Sequence, residues 1–95
     1  MFYILLALRE ERCGVDIMAA VEELSRGRIR VGPGTLYAML PKFENAGIIR
    51  QTRQEGRQKW YAATAQGLSM LDEEIARLKV MLGDAERALE AGRQA

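Results

Sequence analysis

Four basic side chains, Arg50, Arg53, Arg57 and Lys59, fall within ten residues and are interrupted by one acid, Glu55. Cations at this density do not break bonds by themselves. They neutralise phosphates and supply affinity rather than sequence choice. Upstream lies a second set of a different kind. Thr35 and Tyr37 offer hydroxyl donors, Ala38 is small enough to let a base edge come close, and Lys42 adds a charge. Gly34 and Thr35 stand where the positive end of a helix dipole would favour an anion. Covalent chemistry finds no footing. The chain has no histidine and one cysteine, so neither an imidazole base nor a zinc-type ligand cluster can be assembled. Gly32-Pro33-Gly34 is too short for a phosphate-binding loop and is not followed by Lys-Ser or Lys-Thr. Asp72-Glu73-Glu74 diverge on a helix and read as a solvated face. Cys13 reads as a small turn residue rather than a redox switch. No enzyme activity, metal or cofactor is expected.

The elements that must carry these residues follow from periodicity. Ile4, Leu5 and Leu8 predict a helix from Met1 to about Glu11. A second runs from about Val15 to Ser25, with Ile17, Met18, Val21 and Leu24 facing inward, and ends at Gly27. Arg28-Ile29-Arg30-Val31 alternates and predicts a short strand. Pro33 suits the first turn of a third helix, about Pro33 to Ala46, with Leu36, Met39, Leu40 and Phe43 as its core stripe and Gly47 beyond its end. Pro41 removes the hydrogen bond to the Tyr37 carbonyl and should kink this helix, at roughly 3 kcal/mol in an unadapted one. Ile48 to Arg53 and Gln58 to Ala63 pair as a hairpin around Gln54-Glu55-Gly56-Arg57. On its second strand Arg57, Lys59 and Tyr61 share a face, and Trp60 lies opposite, in the core. Thr64 caps a last helix of about 30 residues, about 45 Å long.

This order predicts a mainly α fold with a small β-hairpin, a winged helix-turn-helix with a long C-terminal dimerisation helix. Residues 1–63 form the DNA-binding unit and 64–95 the dimerisation helix. The third helix is placed to enter a major groove and the hairpin lies beside it as a wing. On the last helix Leu68, Leu71, Ile75, Leu78, Leu82, Ala85 and Leu89 recur at steps of three and four, a seam of about three heptads. So small a domain cannot cover it, so a second copy of the chain is expected. Packing back on the first helix is the alternative.

Composition is consistent with this reading. The chain of 95 residues has a net charge of +1, but residues 26–59 hold eight basic and two acidic side chains, and the remainder six basic and eleven acidic. Charge alone leaves a polyanion contact and a solvated positive face both open. The opening apolar stretch, Met1 to Leu8, is far short of a membrane span and lacks the pattern of a signal peptide. With one cysteine and no internal disulfide possible, a cytoplasmic location is expected.

Several of these residues also carry a likeness. Ile4-Leu5-Leu6-Ala7-Leu8, Gly14, Ile17-Met18 and Glu23-Leu24-Ser25, then Gly27 through Tyr37 with its Pro33-Gly34-Thr35-Leu36-Tyr37 run, then Phe43-Glu44, Gly47-Ile48-Ile49, Trp60-Tyr61, Thr64 and Gly67 resemble the PadR family over nearly the whole chain. The resemblance implies a winged-helix homodimer, of the branch with a single C-terminal helix, that binds an inverted-repeat operator on double-stranded DNA and represses. It implies that Gly34 to Lys42 read the major groove, that Arg53 to Lys59 form the wing, and that a small hydrophobic effector can release the DNA. Where that family commonly has His-Gly-Tyr between its first two helices, this chain has Cys13-Gly14-Val15, so that tyrosine's phosphate contact is not carried over. Members usually begin several residues earlier, which places Met1 within the first helix. Two other functions are compatible with such a scaffold, a small-molecule sensor and a protein–protein adaptor.

Overall fold

A computed structural model describes residues 1–94. Its elements are α1 (Phe2–Ala7), β1 (Arg12–Cys13), α2 (Gly14–Leu24), α3 (Pro33–Asn45), β2 (Ile49–Glu55), β3 (Gln58–Ala63) and α4 (Ala65–Gln94). The strands form an antiparallel sheet in the order β1-β3-β2.

Helix α1 is shorter than its apolar pattern. After Leu8 the chain turns, and Arg12 Nε donates to the Ala7 carbonyl at 2.9 Å. The two residues that follow, Arg12 and Cys13, pair with Tyr61 and Trp60 of β3. On α2, Ile17, Ala20 and Val21 are buried and Met18 is half-buried, while Leu24, expected in the core, is exposed. The expected strand at Arg28–Val31 is not one. Ser25, fully buried at the end of α2, accepts the Ile29 N–H on its Oγ at 3.0 Å. Arg26 and Gly27 take left-handed conformations, with φ of 54° and 78°, and Arg30 returns to Glu22 at 3.1 Å. Arg28 N–H and both backbone groups of Ile29 are spent on Ser25, so alternation there does not signal a ladder.

Pro33 occupies the first turn of α3, as expected, and Leu36 N–H closes that turn on the Gly32 carbonyl at 3.0 Å. The helix runs through Pro41 to Asn45 as one element. Pro41 is exposed, as is Tyr37 one turn before it, whose carbonyl would be the partner of the N–H that proline lacks. At the other end Gly47, with φ 77°, allows Gly47 N–H to reach the Glu44 carbonyl at 3.0 Å and Ile48 N–H to reach that of Phe43 at 3.1 Å. This paired closure of a helix needs a left-handed residue.

The hairpin turns on Gly56 and Arg57, and β2 starts one residue later and ends two residues later than expected. Gln51 pairs with Tyr61 and Arg53 with Trp60, so Thr52 is an extra residue, a β-bulge. At the far end of β3, Thr64 Oγ1 accepts Gly67 N–H at 3.1 Å, the expected cap, and donates to the Gly47 carbonyl at 2.6 Å. Thr64 N–H adds a bond to the Ile48 carbonyl at 3.0 Å. A Cβ on Gly67 would stand 2.0 Å from that same carbonyl oxygen, so glycine is what lets α4 begin against the end of α3.

The core lies between the three helices and one face of the sheet, around Leu5, Leu8, Ile17, Leu36, Leu40 and Ile49. Helix α4 joins it through Leu71, with Ile75 half-buried, and then leaves. Within one chain the rest of the expected seam is open to solvent, with Leu68 38%, Leu78 42%, Leu82 61% and Leu89 62% exposed and Ala85 exposed. The molecule measures 64 × 27 × 19 Å because of this projecting helix. Ala95, the last residue of the expected dimerisation segment, lies outside the described residues.

Candidate nucleic-acid interface

The residues singled out on α3 are presented outward. Gly34, Thr35, Tyr37, Ala38 and Lys42 are all exposed, while Leu36 and Leu40 on the opposite side are buried and anchor the helix. A helix held by one stripe keeps its other face clear for a groove.

Tyr37 is brought directly to the wing. Tyr37, 52% exposed, stands with Arg57, Gln58, Lys59 and Tyr61 around a cleft of about 80 Å³ that Gly14 and Val15 at the start of α2 also line. The fit at Gly14 is close, since a Cβ there would lie 2.3 Å from the Tyr37 hydroxyl oxygen. Arg57 and Lys59 are exposed and, among the described residues, neither is ion-paired. Two free cations and a phenol around a cleft of this size offer donors on the scale of one phosphate group. Lys42 stands more than a helical turn from Tyr37 along α3, outside the cleft.

The two aromatic residues of β3 exchange the places expected of them. Lys59 and Tyr61 do share a face, but it is the face turned to the body, where Tyr61 is 6% exposed and part of the core. Burial, and then the nearby charge of Glu44 and the Tyr37 phenol, push the Tyr61 phenol above its usual range, so it is neutral and a donor at ordinary pH. Trp60, expected in the core, is half-buried on the opposite face, with the Arg53 guanidinium 3.8 Å above its ring centre. Arg53 is thereby set apart from the other wing cations. Its Nε lies 3.2 Å from Glu11 and its Nη1 2.8 Å from Glu55.

The ion pair of Glu11, the close fit of Gly14 against Tyr37 and the β1 pairing are not legible in the sequence. A two-residue strand leaves no periodic signal, and the steric role of a glycine is set by a neighbour distant in sequence. On α4, Glu74 receives hydrogen bonds from Arg77, which hold its carboxyl below the usual range.

Three helices, the third clear on its outer face and flanked by a basic hairpin, define a winged helix-turn-helix. The comparisons assign it more closely. Residues 4–73 match the transcriptional regulator PadR-like family, and the chain belongs to that family. The transcriptional regulator YqjI of Escherichia coli is 31% identical over 65 residues, which are 68% of this chain and 31% of that protein. A PadR-like transcription factor from Bacteroides fragilis superposes with a TM-score of 0.71 at 27% identity, over 90% of this chain and 86% of the other. PadR of Bacillus subtilis, solved in complex with operator DNA, gives 0.65 at 28% identity, over 78% of this chain and 44% of the other. The chain spans less than a third of the length of the curated relatives it matches. Among the described residues no helix is long and apolar enough to cross a membrane.

Proposed function

We propose that this chain is a sequence-specific DNA-binding transcriptional repressor that acts as a homodimer on an inverted-repeat operator. The observation that carries the reading is the cleft where Tyr37 of α3 meets the unpaired Arg57 and Lys59 of the wing. Gly34, Thr35 and Ala38 extend the same exposed face along α3, and Lys42 adds a charge farther on. Bacillus subtilis PadR, similar in fold, is a precedent for DNA binding. In this reading residues 1–63 bind DNA, and the exposed part of the α4 seam, Leu68, Leu78, Leu82, Ala85 and Leu89, pairs with a second copy, while Leu71 is taken up by the chain's own core. Two copies of α3 then address half-sites about one DNA turn apart, roughly 34 Å.

The test is anisotropy binding to the duplex upstream of the protein's own gene and to a scrambled duplex, from about 50 to about 300 mM salt. Tight binding to the upstream duplex alone at physiological salt supports the reading. Equal binding that vanishes for both at moderate salt rejects it and favours the adaptor. Arg57→Ala should weaken both duplexes alike and flatten the salt dependence by about one unit.

One feature favours an added effector role. A groove of about 450 Å³ opens between the start of α1 and α4, with Phe2, Leu5, Met70 and Leu71 as its apolar walls and Glu74 and Arg77 at its rim. It suits a small hydrophobic compound, whose binding would raise the melting temperature in a thermal-shift screen.

A further inference from the structure

We infer that Arg53 is a positioning residue of the wing rather than one of its phosphate ligands, and that with Glu11 and Trp60 it forms a latch setting the wing's angle to the body. The inference rests on the DNA-binding reading for its consequence, but its geometry stands alone.

The wing needs such a latch. Strand β1 supports β3 only at Tyr61 and Trp60. Beyond that point the hairpin is a two-stranded ribbon, with Gln54 opposite Lys59 and Glu55 opposite Gln58. Ribbons of two strands are marginal by themselves. Glu11, immediately before β1, belongs to the body, and its carboxylate meets Arg53 Nε at 3.2 Å. Thr52 bulges between Gln51 and Arg53, so that Arg53 is the residue opposite Trp60. Were Thr52 paired rather than bulged, it would take the place opposite Trp60 and Arg53 would move on to Lys59, and it is the pairing with Trp60 that lays the guanidinium over the indole at 3.8 Å.

The chemistry of the cluster also disfavours a phosphate there. One flat face of the guanidinium is covered by Trp60, and its edge is occupied by Glu11 and by Glu55 at 2.8 Å. Two carboxylates around one cation leave a local negative balance, which repels a phosphate. Only arginine combines a stacking face with a donor edge, so lysine at this position keeps the charge but loses the latch. Arg57 and Lys59 lie just past the latch, and their alignment with Tyr37 depends on the ribbon's angle.

Trp60 is the chain's one tryptophan, so its fluorescence reports the latch directly. The experiment compares the wild type, Glu11→Gln, Arg53→Lys and Arg53→Ala by acrylamide quenching of the free protein and by salt-dependent DNA anisotropy. A latch predicts faster quenching in all three variants. It predicts DNA binding weakened about three- to fivefold, even in Glu11→Gln, which removes a negative charge beside the site. The salt slope stays that of wild type in every variant. Tighter binding by Glu11→Gln, a slope about one unit flatter in Arg53→Ala, or unchanged quenching would each overturn the inference. If the wild type fails to prefer the upstream duplex, the DNA reading falls, and quenching alone decides the latch.

Discussion

Replacing Gly14 with alanine should weaken DNA binding while leaving the fold intact, because the added methyl strikes one side chain and that side chain is free to move. The methyl carbon would stand 2.3 Å from the Tyr37 hydroxyl oxygen, 2.8 Å from Cζ and 3.0 Å from Cε1, whereas ordinary contact begins near 3.4 Å. The outer edge of the ring must therefore retreat by about 1 Å. It can do so toward solvent, since Tyr37 is half exposed and its hydroxyl makes no hydrogen bond among the described residues. Gly14 has no positive φ, and alanine in the first turn of α2 gains up to about 1 kcal/mol of helix propensity. The melting temperature should stay level or rise slightly. Binding should suffer, because a donor displaced by about 1 Å from a phosphate loses most of a charge-assisted hydrogen bond, about 1.5 kcal/mol or more, and so about tenfold in Kd. Anisotropy with the upstream duplex reads this directly. The same substitution on a Tyr37→Ala background should then change Kd by less than about twofold, because the side chain through which it acts is gone. An unchanged Kd for Gly14→Ala, or a full effect on the Tyr37→Ala background, would refute the argument.

Three further outcomes follow from the packing. Gly67→Ala must force about 1.4 Å between its new carbon and the Ile48 carbonyl oxygen, which is backbone and cannot rotate away. The expected loss is about 2 kcal/mol, a fall in melting temperature of roughly 8–16 °C for a domain of this size, and a fall of only a degree or two would show that α4 can shift without strain. Thr52 Oγ1 is buried without a hydrogen-bond partner, so Thr52→Val should hold or raise the melting temperature, by up to about 1 kcal/mol of stability, and a clear decrease would mean that the hydroxyl is satisfied after all. Leu82→Lys changes a side chain 61% exposed in the single chain, so each subunit should fold as before while sedimentation shifts from dimer to monomer and DNA affinity falls with it. A dimer that persists in that variant would remove Leu82 from the interface.

How far the sequence carries depends on how local each feature is. Helices α2 and α3, the hairpin and α4 were legible because apolar spacing, Pro33, Gly47 and Thr64 all act within a few residues of where they stand. The exposed face of α3 followed from its buried one, since Leu36 and Leu40 leave Thr35, Tyr37 and Ala38 outside by geometry. The exchange of Trp60 and Tyr61 shows the limit. Alternation on β3 separates two faces but does not say which is inner, and that choice is made by register. Ile49, buried, pairs with Ala63 at the base of the hairpin. Tyr61, two residues along, inherits the inner face, and Trp60 must face away whatever its apolar area. Its half-buried ring is then covered by Arg53, which pairs with it across the ladder. Arg53 looks in sequence like one more basic residue of a phosphate-binding wing, equal to Arg57 and Lys59. In the fold it is the cation already matched by carboxylates, while Arg57 and Lys59 are unmatched among the described residues. Charge counted along the chain overstates such a surface wherever folding supplies an internal partner, and for this wing the partner is Glu11, more than forty residues away.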